Sequence, residues 1–229
     1  MTCSIKICGI TSVADARMLS DTGIDYLGVL VNVRQSPRSV GVETAAAIVA
    51  AATVPVMALT YDHAIDDVLR MVRAVRPAGV QLAGTEPEHY IAALREKVDI
   101  EVWKTVHIPA SDAGEQVADE SARLINRLSA IGIDRVILDT AITKGRREMR
   151  GGTGERCDWP TAELIQQRVN TFLFLAGGIT PENVRDAVRQ VHPDGIDLSS
   201  GVERARGKKD LILVRRLIEE AAASVMPQS

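Results

Sequence analysis

The sequence lacks the features that would place the chain in a membrane, on nucleic acid or in an oxidising compartment. No stretch approaches the roughly 18 consecutive apolar residues of a membrane helix, and the N-terminus has no secretory h-region. The net charge is −3 and the pI about 5.9, so no basic surface for nucleic acid is expected. Three cysteines, an odd number among 229 residues, do not indicate a disulfide framework. We therefore expect a cytoplasmic protein with neither a nucleic-acid nor a membrane partner.

Metal-ligand spacing and dinucleotide fingerprints are also lacking. His63, His89, His107 and His192 are scattered and show none of the short spacings typical of metal ligands, so we predict no metal site. The first apolar run is followed by CGIT (residues 8–11), which does not match G-x-G-x-x-G. This favours a fold other than the doubly wound dinucleotide-binding sheet.

What the sequence does have is an alternation of short apolar runs and longer amphipathic segments from end to end. The runs are mostly apolar rather than alternating, which is typical of parallel strands buried on both faces. They read SIKICG, YLGVLVN, VPVMALTY, GVQLAG, EVWKTVHI, RVILDT, TFLFLAGG and GIDLSSG. Eight strands alternating with eight helices is the count of a (β/α)8 TIM barrel. We predict this α/β fold as a single domain over residues 1–229.

Two turns rich in glycine and serine follow the seventh and eighth predicted strands. They are LAGGI (Leu175–Ile179) and DLSSG (Asp197–Gly201). In barrels these turns recurrently hold phosphate, because glycine lets the backbone approach an anion and serine adds a donor. The alternative is two tight turns without a ligand. We predict a phosphorylated small-molecule substrate, bound by Gly177, Gly178, Ser199, Ser200 and Gly201.

Asp139 and Cys8 are the predicted catalytic residues, since both stand where strands end and barrel active sites lie at that end. Partial burial would raise the pKa of Asp139 and make it a general acid, although an aspartate there can also be a helix cap. Cys8 could act as a base if nearby cations, such as Lys6, lower its pKa; otherwise it is a small buried apolar residue. Cys3 and Cys157 are interpreted as the latter.

Two segments at the same end of the predicted barrel are rich in arginine. Arg38, in SPR, could hold a carboxylate with its planar fork of donors, or could be an ordinary exposed arginine. Residues 140–158 form a long predicted loop that contains Lys144, Arg146, Arg147 and Arg150. Such a loop is either a lid or a solvated run of charge.

With these residues identified, the chain resembles the phosphoribosylanthranilate isomerase family of tryptophan biosynthesis. The matching strings are KICGIT, SPRSV, VQLAG, LDT, GGTGERCDW, LAGGITPENV and GIDLSSGVERARGKKD. The resemblance implies a cofactor-free barrel that carries out an Amadori rearrangement. It converts N-(5-phosphoribosyl)anthranilate to 1-(carboxyphenylamino)-1-deoxyribulose 5-phosphate, a step of aromatic amino acid biosynthesis.

The resemblance also implies a role for each site residue. Asp139 would protonate the ribose ring oxygen and open the ring to a Schiff base. Cys8 would remove the C2′ proton to give an enolamine. Arg38 would hold the anthranilate carboxylate, and the two turns would hold the phosphate. Asp197 would orient the sugar or the Schiff base, and Gln81 is predicted as a further substrate contact.

The departures from the family pattern concern the aryl end of the substrate. Ala83 stands where the family has histidine, Cys157 replaces a phenylalanine, and the second predicted strand has no aromatic residue after Gly28. Aromatic residues make up only 3% of the chain. Two alternatives therefore stay open: a divergent paralogue that isomerises another aminated sugar phosphate, and a non-catalytic barrel that binds a phosphometabolite. Either a monomer or a homodimer is compatible with the sequence.

Overall fold

The computed structural model describes residues 3–111, 113–144, 147–150 and 157–224. Within these ranges, eight barrel strands alternate with eight helices. The strands are β1 (Ser4–Ile7), β2 (Tyr26–Val31), β3 (Val56–Thr60), β4 (Gly79–Leu82), β5 (Glu101–Pro109), β6 (Arg135–Lys144), β7 (Phe172–Leu175) and β8 (Gly195–Leu198). The helices are α1 (Val13–Ser20), α2 (Val42–Ala51), α3 (Ile65–Val75), α4 (Glu88–Arg95), α5 (Gly114–Ala130), α6 (Trp159–Gln166), α7 (Val184–Val191) and α8 (Leu211–Ala223).

The eight strands pair in parallel and close into a ring. Each strand pairs with the next along the chain from β1 to β8, and β8 pairs with β1. The ring is complete because β1 also pairs with β2, with Ile7 opposite Leu27. This closure confirms the predicted (β/α)8 barrel, in which the carboxyl ends of all strands meet at one rim.

The strands are buried on both faces, which explains why each predicted run is apolar along most of its length. The outward faces, such as Ile7 and Val29, pack against the buried faces of the surrounding helices. These helices are amphipathic, and none within the described residues is long and apolar enough to cross a membrane. The first helix begins after Ser12, whose hydroxyl accepts the Asp15 N–H at 3.1 Å, a typical N-cap.

Most of the aromatic residues of the chain lie inside the barrel at the end away from the carboxyl rim. Trp103 and Phe174 stack with their ring centroids 5.0 Å apart, and Tyr26 meets Trp103 edge-on at 5.0 Å. The Arg135 guanidinium lies 4.5 Å from the centroid of the Phe172 ring, a cation–π contact that covers the cluster. These four aromatic side chains thus form a cluster separate from the one that contains Cys8.

The segment predicted as a long loop over residues 140–158 is in part a β-hairpin. The strand β6 continues to Lys144, and Arg147–Arg150 returns antiparallel to it, with Ala141 opposite Arg150. The hairpin forms because backbone groups that continue past the barrel rim need hydrogen-bond partners. The prediction of a loop without structure is wrong for these residues. Arg146 and the stretch 151–156 lie outside the described residues.

Candidate active site

The predicted catalytic residues meet at the carboxyl rim around a buried ion pair. Lys6 on β1 and Asp197 on β8 are register partners in adjacent strands, and Lys6 Nζ donates to Asp197 Oδ1 at 3.0 Å. Their side chains are 0% and 8% exposed. Burial by itself lowers the pKa of Lys6, but the charge of Asp197 and the neighbouring Cys8 outweigh it and raise that pKa. The lysine is therefore a permanent cation inside the barrel mouth.

Cys8 lies directly above this ion pair. Its side chain is buried, and a Cβ at Gly28 would come within 2.8 Å of the Cys8 sulfur and 3.1 Å of Lys6 Nζ. Glycine at position 28 therefore leaves the space that the thiol and the ammonium share. Burial raises the pKa of the Cys8 thiol, and Lys6 is the strongest influence that opposes this rise. Asp197 adds to the rise and Lys209 opposes it.

Asp139 reaches the same mouth from the middle of the long strand β6. Desolvation raises the pKa of its carboxyl from 3.8 to about 7, against the hydrogen bond from the Thr140 N–H. That N–H donates to Oδ1 at 2.7 Å. The charges of Asp197 and Lys6 also act on Asp139, so the predicted acid and the predicted base share the same two charged neighbours. A carboxyl of this pKa is substantially protonated at neutral pH.

The two predicted phosphate turns lie against each other beside Asp139. Gly177 and Gly178 adopt φ values of +87° and +63°, a conformation that favours glycine. A Cβ at Gly177 would lie 2.1 Å from the Thr140 hydroxyl, and one at Gly201 would lie 2.0 Å from the Ile179 carbonyl oxygen. Glycine at these positions thus lets the turn after β7 approach both β6 and the turn after β8.

Arg38 also lies at the mouth, but its guanidinium already has a partner. It makes two hydrogen bonds to Glu203, each 2.7 Å long. Glu203 in turn accepts from Lys209 Nζ at 3.0 Å, and Lys209 Nζ also donates to the Ser199 carbonyl oxygen. Arg38 thus lies beside the predicted phosphate turn, and its contact with the substrate carboxylate stays a prediction. Its partners Glu203 and Lys209 were missed, although both belong to the charged stretch that directly follows the serine-rich turn.

An apolar wall covers one side of the mouth next to Cys8. Leu30, Val33, Leu59, Tyr61 and Ala83 pack together there with the Cys8 side chain. The wall follows the ends of β2, β3 and β4 and is largely aliphatic, since the second strand supplies leucine and valine. Tyr61, just after β3, is an aromatic residue in this wall. It was not predicted from the sequence, where aromatic residues were considered only in the second strand.

Gln81 and His107 complete the description of the mouth. Gln81 is buried and its Nε2 donates to Thr105 Oγ1 at 3.0 Å, while its Oε1 has no hydrogen-bond partner among the described residues. That oxygen is itself buried, and the contact between Gln81 and the substrate stays a prediction. His107, which was interpreted as an ordinary histidine, is the register partner of Asp139 on β5. The position of His107 beside Asp139 follows from the register of β5 and β6, which the sequence does not reveal.

No group of three potential metal ligands occurs among the described residues. A groove of about 810 Å³ lies elsewhere, outside β2 and β3 between α2 and α3, and its lining includes Asn32, His63 and Arg70. It contains none of the predicted site residues. The groups that the structure brings together at the mouth are the Asp139 carboxyl, the Cys8 thiol, the Lys6–Asp197 ion pair and the cluster of Arg38, Glu203 and Lys209.

A family model described as N-(5'phosphoribosyl)anthranilate (PRA) isomerase matches residues 5–220. An N-(5'-phosphoribosyl)anthranilate isomerase from Methanosarcina acetivorans is 35% identical over 226 residues, covering 94% of this chain and 92% of its own length.

Solved structures agree with this result. A dimeric phosphoribosylanthranilate isomerase from Thermotoga maritima, studied as monomers, superposes with a TM-score of 0.80 and 29% identity, covering 97% of this chain and 100% of its own. Another such isomerase, in complex with reduced 1-(o-carboxyphenylamino)-1-deoxyribulose 5-phosphate, gives a TM-score of 0.78 and 27% identity, again covering 97% and 100%.

Proposed function

The chain belongs to the N-(5'-phosphoribosyl)anthranilate isomerase family, and on this premise we propose that Asp139 and Cys8 carry out its reaction by proton transfer. Membership of the family makes the chain an isomerase of tryptophan biosynthesis. The reaction converts N-(5-phosphoribosyl)anthranilate to 1-(carboxyphenylamino)-1-deoxyribulose 5-phosphate. The observation that carries the assignment is geometric: the Cys8 thiol shares the space at Gly28 with the buried Lys6, and the Asp139 carboxyl lies beside the turn at Gly177. Desolvation, which raises the pKa of Asp139 to about 7, supports it.

Asp139 acts first, as the general acid. Its proton passes to the ribose ring oxygen, the bond between C1′ and that oxygen breaks, and the nitrogen lone pair forms the C1′=N bond of a protonated Schiff base. A carboxyl can do this only while it is protonated, which the raised pKa supports. After the transfer, the Thr140 N–H at 2.7 Å stabilises the carboxylate that forms.

Cys8 acts second, as the general base. Its thiolate takes the C2′ proton, the electrons of that C–H bond form the C1′=C2′ bond, and the iminium nitrogen recovers its lone pair. The resulting enolamine becomes the ketone when C1′ takes up a proton and the 2′-hydroxyl gives up its own. Burial raises the pKa of Cys8, and the positive charges of Lys6 and Lys209 oppose that rise. These two cations support formation of the thiolate, which is the reactive form.

Three sets of contacts support binding of this substrate. The turns at Gly177 and Ser199 would take the phosphate, Arg38 the carboxylate, and the wall that includes Leu59 and Ala83 the aryl ring. Apolar contact of roughly 25 cal/mol per Å² can replace part of the aromatic stacking that the family pattern has at this end. Asp197 would orient the sugar through its bond to Lys6, and Gln81 remains a predicted substrate contact.

The test follows loss of substrate fluorescence with the wild-type chain and with Cys8→Ser and Asp139→Asn. Cys3→Ser is the matched control, because Cys3 lies before β1 at the opposite end of the barrel. We expect each site variant to lose about 10²–10⁴ in kcat, the usual contribution of a general acid or base, and the control to keep its activity. Full activity in Cys8→Ser would contradict the assigned role.

A second candidate function is favoured by the aliphatic wall and by Ala83 in particular. A paralogue that isomerises another aminated sugar phosphate would need no aryl pocket. A wild-type chain that binds a sugar phosphate but leaves phosphoribosylanthranilate unchanged would support this paralogue or a non-catalytic binding barrel. Turnover of a second aminated ribose phosphate would then separate these two.

We also propose that the chain works in the cytoplasm as a monomer or a homodimer. The Thermotoga maritima relative is dimeric, which supports the second state. Sedimentation velocity at two protein concentrations would decide between them, since a dimer at working concentration sediments faster than a barrel of 24.7 kDa.

A further inference from the structure

The two hydrogen bonds between Arg38 and Glu203 occupy one particular edge of the guanidinium. Nε donates to Oε1 and Nη2 donates to Oε2, each at 2.7 Å. The side chains are 13% and 5% exposed, so the pair is largely removed from water. A guanidinium has five N–H donors in a planar fork. Glu203 takes two of them on the side edge. Among the residues that the structure describes, no other group bonds to the end edge formed by Nη1 and Nη2, so this edge can take a second planar anion.

Lys209 links the same glutamate to the serine-rich turn. Its fully buried ammonium donates to Glu203 Oε1 at 3.0 Å, to the Ser199 carbonyl oxygen at 2.9 Å and to the Ser199 hydroxyl at 3.2 Å. The glutamate therefore stands between two cations. Without it, Arg38 and Lys209 would repel each other in a region of low dielectric.

The local fold explains why these groups meet. Glu203 and Lys209 are opposite each other in a short antiparallel hairpin, Glu203–Ala205 with Lys208–Lys209, that directly follows the turn after β8. On the other side, a Cβ at Gly9 would lie 2.6 Å from Arg38 Cδ and 2.5 Å from the Ser199 hydroxyl. Glycine at position 9 thus lets the arginine stem and the phosphate turn pack against the residue that follows Cys8.

We propose that Glu203 is a positioning residue, which aims the end edge of Arg38 at the substrate carboxylate and, through Lys209, fixes it relative to the phosphate turn at Ser199. This inference rests on the proposed function. The cluster of two cations and one anion keeps a net charge of +1, which suits a ligand that is anionic at both ends. Glu203 itself does not touch the substrate in this arrangement.

The experiment compares two ligands by calorimetry: the reduced product analogue with its aryl carboxylate, and the same molecule made from aniline, which lacks it. The measured quantity is the ratio of their dissociation constants. We expect Glu203→Gln and Glu203→Ala to reduce the wild-type preference for the carboxylated ligand about tenfold or more, as for a mispositioned charged hydrogen bond. Arg38→Met should abolish the preference, and adding Glu203→Ala to Arg38→Met should reduce it no further.

Glu86→Gln is the matched control, because Glu86 forms a comparably buried ion pair with Lys104 at 2.9 Å away from Arg38. It should leave the ligand ratio unchanged even if the chain is less stable. In the enzymatic assay, Glu203→Gln should raise KM more than it lowers kcat, which a general loss of folded protein would not do.

Two results would overturn the inference. One is an unchanged ratio in both Glu203 variants while Arg38→Met abolishes the preference. The other is an equal loss of affinity for both ligands, which would indicate a merely structural role for Glu203. Isomerase activity is a separate readout. A wild-type chain that is inactive but shows a preference dependent on Glu203 would refute the proposed function and leave this inference supported.

Discussion

Replacing Asp139 by asparagine should stabilise the folded chain while it removes the proposed acid. Desolvation raises the pKa of this carboxyl from 3.8 to about 7 in the folded state. A raised pKa means that the folded chain holds the proton more tightly than the unfolded chain. The contribution of Asp139 to stability is therefore complete below pH 3.8 and is lost as the pH rises to about 7. Asparagine cannot ionise and avoids this loss.

The magnitude follows from the size of the shift. Three pKa units correspond to about 4 kcal/mol, since one unit is about 1.4 kcal/mol. At pH 4 the carboxyl is protonated in the folded state and only about half ionised in the unfolded state, so the advantage of Asp139→Asn should be below about 1 kcal/mol. At pH 8 it should approach about 4 kcal/mol.

The assay is unfolding by urea at pH 4 and pH 8, followed by circular dichroism, for the wild-type chain and the variant. Asp134→Asn is a useful control, because Asp134 stands just before β6, at the other end from Asp139. Its carboxylate accepts the Val102 N–H at 2.7 Å and pairs with Arg95, so this variant should lose stability at both pH values. The proposed role of Asp139 as the acid is refuted if the advantage of Asp139→Asn over the wild-type chain, in free energy of unfolding, does not grow between pH 4 and pH 8. Asp139 would then not be held in its protonated form.

Three further predictions concern the same cluster. Gly28→Ala places a methyl group within 2.8 Å of the Cys8 sulfur, so turnover should fall and the free energy of unfolding should drop by roughly 1–3 kcal/mol. Lys6→Met leaves Asp197 buried without its cation and should reduce the free energy of unfolding by about 3–5 kcal/mol, which Asp197→Asn in the same chain should partly restore. The working pair is a protonated Asp139 with a Cys8 thiolate, so kcat/KM should rise with pH to an inflection near 7, the raised pKa of Asp139, and then level off. A profile of kcat/KM that is flat from pH 5 to 8 would contradict this pairing.

The barrel was predictable because its signal is local. A strand buried on both faces must be apolar along its length, and the run that contains Val136 and Leu138 shows this directly in the sequence. The end of each run then locates Cys8 and Asp139 at one rim. The hairpin made by Arg147–Arg150 was not predictable, since its charged residues look like a solvated loop and it forms only because β6 offers a free edge above the rim.

The site was predictable in its chemistry but not in its partners. Cys8 directly follows a strand, as expected, whereas the apolar run before Asp139 ends at that residue although β6 itself continues to Lys144. The glycine and serine turns have a characteristic composition. Nothing near Arg38 in the sequence indicates Glu203, because the two residues are 165 positions apart. The lack of aromatic residues in the second strand was visible in the sequence and indicated an aliphatic wall. The clustering of other aromatic residues of the chain around Trp103 was not visible there.

The sequence by itself thus determined the barrel, the rim at which the proposed site residues lie and the residue types available there. Only the tertiary structure decided which of them interact, as with Lys6 and Asp197, which lie 191 positions apart and donate and accept at 3.0 Å. The physical reason is that local pattern depends on neighbours along the chain, whereas a pKa depends on burial and on charges nearby in space. The pKa of Asp139 is raised, and the charges of Lys6 and Lys209 act on Cys8, only once the barrel has closed.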